Sequence, residues 1–589
     1  MMKKSVMAAG VAALLGVSAA HAVVHFENHT EFTTSHGDPA ATGMSEVRPG
    51  GIGHVLFTPY YSTVNGNVTL ISLVNTDNQY GKAVKVRFRG AANSDDVLDF
   101  TVLLSPGDVW TGSIQPSLTD NARLLSPDTS CVLPRQVTED NPVDFRTFRL
   151  DQKLSAEAQA LHTREGYIEF LNMADISPWK GRKGSAAADT VPNSKLTIYS
   201  SVKHKEDNKA PCDATVAAYL MNETSLTAAQ AKDVGLLPPT GGLFGNWSIF
   251  NNQSITSYSG GHYASATVGG SGRTIFSPQV AGAATLTGES ADPLLSADAM
   301  WGQATAFNGA TRTVGAATGK AQIEPLWLDL PDLSTPYTSA DISSGAFSSK
   351  LRAFSLSKAL EATAVMNEFV ATGASASVPF HTDWVFSQPT RRYQVAMAYS
   401  EPGSGERNMP VNAKPAPGYQ PNYFHGSVNN TDDQITGNMV IATRKIGTVV
   451  MGDFLCTRSD LAGTNREEAS ATTVGDFSPA PVVGATRFCG ETATLSFNSD
   501  KSRVLHAEIA NQRVSINVGS GGSSIVEAGW ATVTPKAATS TKTSGVTVPT
   551  APSPQRVTGL PVIGYSATSF SNGATNGNFG SAIEHRYRR

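Results

Sequence analysis

The stretch Lys82-Ala83-Val84-Lys85-Val86-Arg87-Phe88-Arg89 decides the fold class. Val84, Val86 and Phe88 alternate with Lys85, Arg87 and Arg89, the period of two that gives a β-strand one apolar and one polar face. Read alone, it predicts a strand buried on one side and wet on the other. Asn67-Val68-Thr69-Leu70-Ile71-Ser72-Leu73-Val74-Asn75 precedes it, and further strands fall at 97–104 and 108–114. The joints Thr76-Asp77-Asn78-Gln79-Tyr80-Gly81 and Ser105-Pro106-Gly107-Asp108 are made of turn residues. Short strands at this spacing predict an antiparallel sandwich.

The same reading predicts strands at 166–172, 247–251, 264–268, 383–386, 394–399, 438–443, 447–454, 493–497, 505–509, 514–518, 525–532 and 561–566. A chain of 589 residues has room for several domains. The expectation is a mainly β protein with two or more antiparallel, Ig-like sandwich domains and a helical connecting segment. Helix is predicted at 155–162 and at 347–369, where Leu351, Phe354, Leu360, Ala364 and Phe369 fall roughly on one stripe. The segment 175–213, with Lys180-Gly181-Arg182-Lys183-Gly184, reads as a loop or insertion. The organisation that follows is a signal peptide at 1–22, a flexible mature N-terminus at 23–50 and a first sandwich region at 51–345. A helical connector at 346–373 leads to a second sandwich region at 374–535. A Ser/Thr/Pro-rich arm, a final strand and a basic tail occupy 536–589.

Lys3 and Lys4, an apolar run over 6–17 and small residues ending in Ala20-His21-Ala22 have the three parts of a cleavable secretory signal, with Val23 as the expected new N-terminus. No later segment offers the roughly 18 uninterrupted apolar residues of a membrane-spanning helix. The expected location is therefore beyond the inner membrane, at the cell surface or outside the cell, or in the periplasm. Without Lys3 and Lys4 the chain carries 43 basic against 49 acidic residues, a balance that argues against nucleic acid as partner. Only 16% of residues are charged, with 53 Gly and 32 Pro; so neutral and hydroxyl-rich a surface suits secreted scaffolds better than cytosolic enzymes. Cys131, Cys212, Cys456 and Cys489 make an even set, read in an exported chain as two disulfides. Three pairings are open; joining neighbours in sequence, Cys131 with Cys212 and Cys456 with Cys489, is the expected one.

The candidate chemistry is sparse. At the mature N-terminus His25, Glu27 and His29 alternate with other residues and would project from one face of an extended strand, offering imidazole and carboxylate to a transition metal. Asp95-Asp96 with Asp99, Asp329 with Asp332, and Asp432-Asp433 offer oxygen ligands to Ca²⁺ without the spacing of a calcium-binding loop. No cofactor is expected, Ca²⁺ being the possible exception. Leu237-Pro238-Pro239-Thr240-Gly241 spells a wall-anchor pattern but sits mid-chain with no apolar stretch behind it. Ser200-Ser201-Val202-Lys203 lies in an expected strand or loop and lacks catalytic partners. Nucleophile elbow, phosphate loop and dinucleotide fingerprint are missing, so the chain is read as a non-enzyme. Of the tryptophans, any on the surface would offer a sugar a stacking face.

The run from Tyr60-Tyr61 through Asn67–Asn75, Lys82-Ala83-Val84-Lys85-Val86-Arg87-Phe88 and Leu104-Ser105-Pro106-Gly107-Asp108-Val109-Trp110 resembles a group of largely uncharacterised exported cell-surface proteins of Gram-negative bacteria. Thr382-Asp383-Trp384-Val385-Phe386 with Pro389-Thr390-Arg391-Arg392 resembles a second signature of that group. The resemblance implies a surface or S-layer-like role and carries over no catalytic residue. The functional expectation is an exported structural surface protein that self-associates into a layer, sheath or fibre. In it Arg586, Arg588 and Arg589 would dock the C-terminal tail on outer-membrane lipopolysaccharide. The alternatives are a secreted carbohydrate-binding or adhesin-type module, and a secreted hydrolase with an unrecognised site.

Overall fold

The computed structural model describes residues 47–134, 136–147, 150–178, 197–222, 235–237, 239–266, 312–314, 317–319, 356, 359–373, 376–391, 397–399, 409–410, 439–470, 485–518, 524–535, 560–572 and 577–589. Strands dominate the described residues, and four large sheets among them form two sandwiches. The first sheet centres on β1 (Val55–Ser62), β3 (Gly81–Gly90), β4 (Asp96–Leu104) and β6 (Glu165–Ile176), in the order β1-β6-β3-β4. The second runs β8-β7-β2-β5, with β2 at Asn67–Asn75, β5 at Val109–Pro116, β7 at Asn246–Asn251 and β8 at Thr256–Gly261. All these neighbours pair antiparallel. Val84, Val86 and Phe88 point inward with Phe100 and Phe170 to meet Ile71, Leu73, Trp110 and Ile114 of the facing sheet. The apolar phase of the deciding strand is thus the core face.

Its other phase is the first correction. Lys85, Arg87 and Arg89 do not face water; each is fully buried. Acidic residues of the flanking strands meet them: Lys85 Nζ lies 3.7 Å from Asp99 and Arg89 Nε 3.5 Å from Glu169, while Arg87 donates to Asp96. A charge can leave water when an opposite charge replaces part of its hydration. Burial still pulls Lys85 down to about 8, against the opposing effect of Asp99. Toward one end of this face the side chains turn apolar (Ala83, Leu103, Met173, Ile176), and two helices cover them, α2 (Ile198–Val202) and α3 (Ala214–Asn222). α1 (Ala156–His162) matches the predicted helix.

The second sandwich pairs a sheet of order β11-β12-β14-β9-β17 with one in which β13, β10, β15 and β16 follow each other. Here β9 is Ala364–Val370, β10 Phe380–Ser387, β11 Met439–Ile446, β12 Val449–Asn465, β13 Thr492–Phe497, β14 Ala528–Pro535, β15 Tyr565–Asn572, β16 Gly577–Glu584 and β17 Arg586–Arg588. Its core is aromatic: Phe369 stacks on Phe497 at 4.4 Å, and Trp384 meets Phe497 at 4.9 Å. The helix predicted over 347–369 is the second correction. Within its described part only Leu356, Ala359 and Leu360 are helical, and Ala364–Val370 is a strand between β14 and β17. Phe369 points inward in both readings and Val365 joins it in the strand, but Ala364 of the predicted stripe falls with Met366 and Glu368 on the opposite sheet face, a period of two that tertiary pairing enforces. The strands after 560 complete the second sandwich instead of trailing from it. The arm at 536–559 lies outside the described residues.

The two sandwiches share one hydrophobic core, in which Val385, Phe454, Leu505 and Tyr565 join the residues of the first. Trp247 stacks on Tyr565 at 4.6 Å across the junction. Residues 505–509, expected as a strand, form a loop instead, because side chains take the amides a ladder would use. Asp383 accepts from the Val504 and Leu505 amides at 3.0 Å, and Glu165 of the first sandwich from Glu508 at 3.0 Å and Ile509 at 2.6 Å. Asn67 Nδ2 adds a bond to Leu505 O at 2.7 Å, and His506 has φ 55°. Burial raises the carboxyls of both Glu165 and Asp383.

Candidate assembly edge

Unpaired strand edges are templates for another chain, and proteins blunt them with charge, shortness, proline or a cover. Most edges here are blunted. Arg48–Pro49, Cys131–Leu133 and Val143–Asp144 are two or three residues long, and β11 carries Arg444 and Lys445. β8 also ends its sheet uncharged, over six residues against which β16 packs through Gly580; β16 is the longer uncharged edge, eight residues, Gly-Asn-Phe-Gly-Ser-Ala-Ile-Glu, without charge until Glu584. It ends its sheet, bonded to β15 alone among the described strands, in a register from Asn572↔Gly577 to Tyr565↔Glu584.

One side of β16 rests on the first sandwich. Gly580 lies so close to Tyr258 that a Cβ there would stand 2.7 Å from the ring, and Asn578 Nδ2 donates to Ser254 O at 2.7 Å. On the other side Phe579, Ser581 and Ile583 stay exposed, Phe579 and Ile583 at 50% and 52%. Phe579 ends a ladder of rings across three strands, 4.9 Å from Phe570, which is 5.1 Å from Phe380. Asn367 Nδ2 caps the Ile583 and Glu584 carbonyls at 3.2 Å each. Among the described residues that leaves 578–582 without a second pairing strand. Sequence reading missed this strand because Gly and Ser interrupt its hydrophobic alternation; the signal it did carry is Phe579 and Ile583 in one phase, without a Lys, Arg or Pro.

The predicted site residues scatter. Cys131 bonds Cys212 and Cys456 bonds Cys489, the pairing expected from sequence. The first bridge ties the segment between α2 and α3 to the edge strand of the first sheet, and the second joins residues directly opposite in neighbouring strands. His25, Glu27 and His29 lie outside the described residues. Among those described, no group of three or more His, Cys, Asp or Glu side chains is arranged to hold a metal ion, and no helix is long and apolar enough to cross a membrane.

The basic tail is not free. Arg586 and Arg588 project outward from β17, which pairs with β9, whereas Arg589 Nη1 donates to Ala359 O at 2.7 Å and covers the Tyr587 ring at 4.7 Å. His585 is buried between Trp384 and Phe386, its Nε2 3.0 Å from Val385 O, and burial lowers it to about 3. Ser200 and Ser201 lie in α2, where Ser200 closes a capping box with Thr197. Of the described tryptophans, Trp110, Trp247 and Trp384 are core and Trp530 on β14 is 48% exposed. No family model, no curated protein and no solved structure matches the chain.

Proposed function

We propose that this chain is an exported structural protein of the cell surface that associates with further copies of itself by pairing at the β16 edge, as in a layer, sheath or fibre. The observation that carries the reading is the uncharged edge at 578–582, with Phe579 exposed within it and Ile583 exposed next to it. Adding a strand to such an edge gains main-chain hydrogen bonds, and the exposed Phe579 and Ile583 side chains add apolar burial. Two cystines and a weakly charged composition support an oxidising location and low repulsion between copies. Sedimentation velocity over a wide concentration range tests it. The wild-type chain should associate with rising concentration, and a Phe579→Lys/Ser581→Lys chain should stay monomeric with an unchanged circular dichroism spectrum. A wild-type monomer at every concentration would overturn the proposal.

Lipopolysaccharide remains the proposed anionic partner for Arg586 and Arg588. Because residues beyond 583 include buried His585, its test is Arg586→Ala/Arg588→Ala, not truncation. Loss of salt-sensitive lipopolysaccharide binding is the expected result. Trp530 supports the second reading, a carbohydrate-binding module, through its exposed ring. A glycan signal abolished by Trp530→Ala would favour that reading.

A further inference from the structure

Lys82 falls in phase with Val84, Val86 and Phe88, which carries its ammonium to the inner side of the first sheet. It is fully buried there, and so are the two carboxylates beside it, Asp175 and Asp77. Asp175 stands directly opposite Lys82 in the β6–β3 register, with Oδ2 2.8 Å from Nζ. Asp77 Oδ2, from the turn after β2, lies 3.6 Å from Nζ. Thr240, the threonine of the wall-anchor lookalike, is also buried in this cluster, accepting from Nζ at 2.9 Å and donating its hydroxyl to Asp175 Oδ2.

The two oxygens of Asp175 have different surroundings. Oδ1 accepts from Asn172 Nδ2 at 2.8 Å and from the Thr240 amide at 3.3 Å. Oδ2 faces the amine and the hydroxyl. Paired N–H donors on one oxygen, with an amine and a proton donor on the other, are the environment that stabilises a tetrahedral intermediate of acyl transfer. The reacting groups are held in contact by neighbouring strands, which removes most of the entropic cost of bringing them together.

We propose that Lys82 and Asp175 condense into an intramolecular amide that joins β3 to β6. Asp77 takes a proton from the ammonium, and Nζ adds to Cγ of Asp175 while charge develops on Oδ1. The Cγ–Oδ2 bond then breaks, and Oδ2 leaves as water with two protons that began on Nζ, one returned through Asp77 and one passed by way of the Thr240 hydroxyl. One N–C bond forms, one C–O bond breaks, one water is released and nothing is oxidised or reduced. In bulk water the separated ions win. In a dry interior the product replaces a desolvated ion pair by a neutral amide, and in an extracellular scaffold it locks two central strands against forced separation.

Peptide mapping of the full-length, folded, reduced and alkylated chain tests this without any dependence on its N-terminus. The expected result is a branched peptide joining the segment with Lys82 to that with Asp175, lighter than their sum by one water. Asp77→Asn keeps a similar shape and should slow linkage by about a hundredfold, the scale of a lost proton-transfer group; Lys82→Arg should abolish it. Recovery of both peptides unlinked and in full yield from the folded wild-type chain would overturn the proposal, and linkage at the wild-type rate in Asp77→Asn would overturn the role of Asp77.

Discussion

β3 and β16 invert the usual relation between charge and exposure. β3 carries Lys82, Lys85, Arg87 and Arg89, and every residue in it is buried. β16 carries no charge before Glu584 and is exposed along most of its length. The difference lies in what each strand has for neighbours. Flanking strands give β3 acidic partners from Asp96, Asp99, Glu169 and Asp175, so its cations leave water already paired. Among the described strands β16 is paired on one side only, and at the edge we propose for assembly a charge would have to be desolvated by the incoming strand. Charge along a strand therefore reports its partners more than its distance from water.

The largest expected effect is on the buried side. Arg87→Ala removes the cation facing Asp96 and should cost about 3–5 kcal/mol in urea unfolding, whereas Arg87→Met with Asp96→Leu should regain most of it, since an apolar pair of similar volume often replaces a buried ion pair without loss. A single substitution costing under about 1 kcal/mol would show that this face is wetter than its burial implies. Next in size, Cys456→Ala/Cys489→Ala opens a bridge closing 33 residues and should lower stability by about 2–4 kcal/mol, read from the urea denaturation midpoint of the whole chain.

Acid sharpens the account of the buried groups. Burial lowers His162 and His262 to about 4 and His585 to about 3. The unfolded chain therefore binds more protons below about pH 6.5, and the stability these neutral imidazoles contribute is lost as pH falls toward their folded values. Glu165 and Asp383 act in the opposite sense. Their folded values are raised, so the folded state holds those protons more tightly, and stability declines as pH rises through them. His381 and His506 are lowered as well and Asp128 and Glu584 raised; with five imidazoles against four carboxylates, the urea midpoint should fall between pH 7 and about pH 5. A midpoint that rises on acidification would mean that the raised carboxylates dominate. The smallest effect is expected on the surface: Trp530→Ala or Arg588→Ala should change stability by no more than about 0.5 kcal/mol.

Much of the fold was legible in the sequence, because period-two patterning and turn residues are local. β2 to β5 and the pairing of all four cysteines fall where the residues place them. Three features were not legible, each for a non-local reason. The wet face assigned to Lys85, Arg87 and Arg89 was overturned by Asp99 and Asp96 of the next strand and by Glu169 of β6, far along the chain, and only pairing of β3 with both strands brings them together. The helix at 347–369 had a fair apolar stripe, yet β14 and β17 flank residues 364–370 and fix them as a strand. The loop at 505–509 has strand-forming residues whose amides are captured by Glu165 and Asp383 from elsewhere in the fold. The open edge escaped for a simpler reason, since being last in a sheet is a property of topology and leaves no mark on composition.

Hydrogen exchange at the amides of 578–582, followed as the protein is concentrated, asks most directly whether this edge receives a second copy. Protection there should rise with concentration while the exchange of β3, already buried on both faces, stays constant. Fast exchange at 578–582 that is independent of concentration, in a chain that still forms assemblies, would contradict the account and move the contact to another surface.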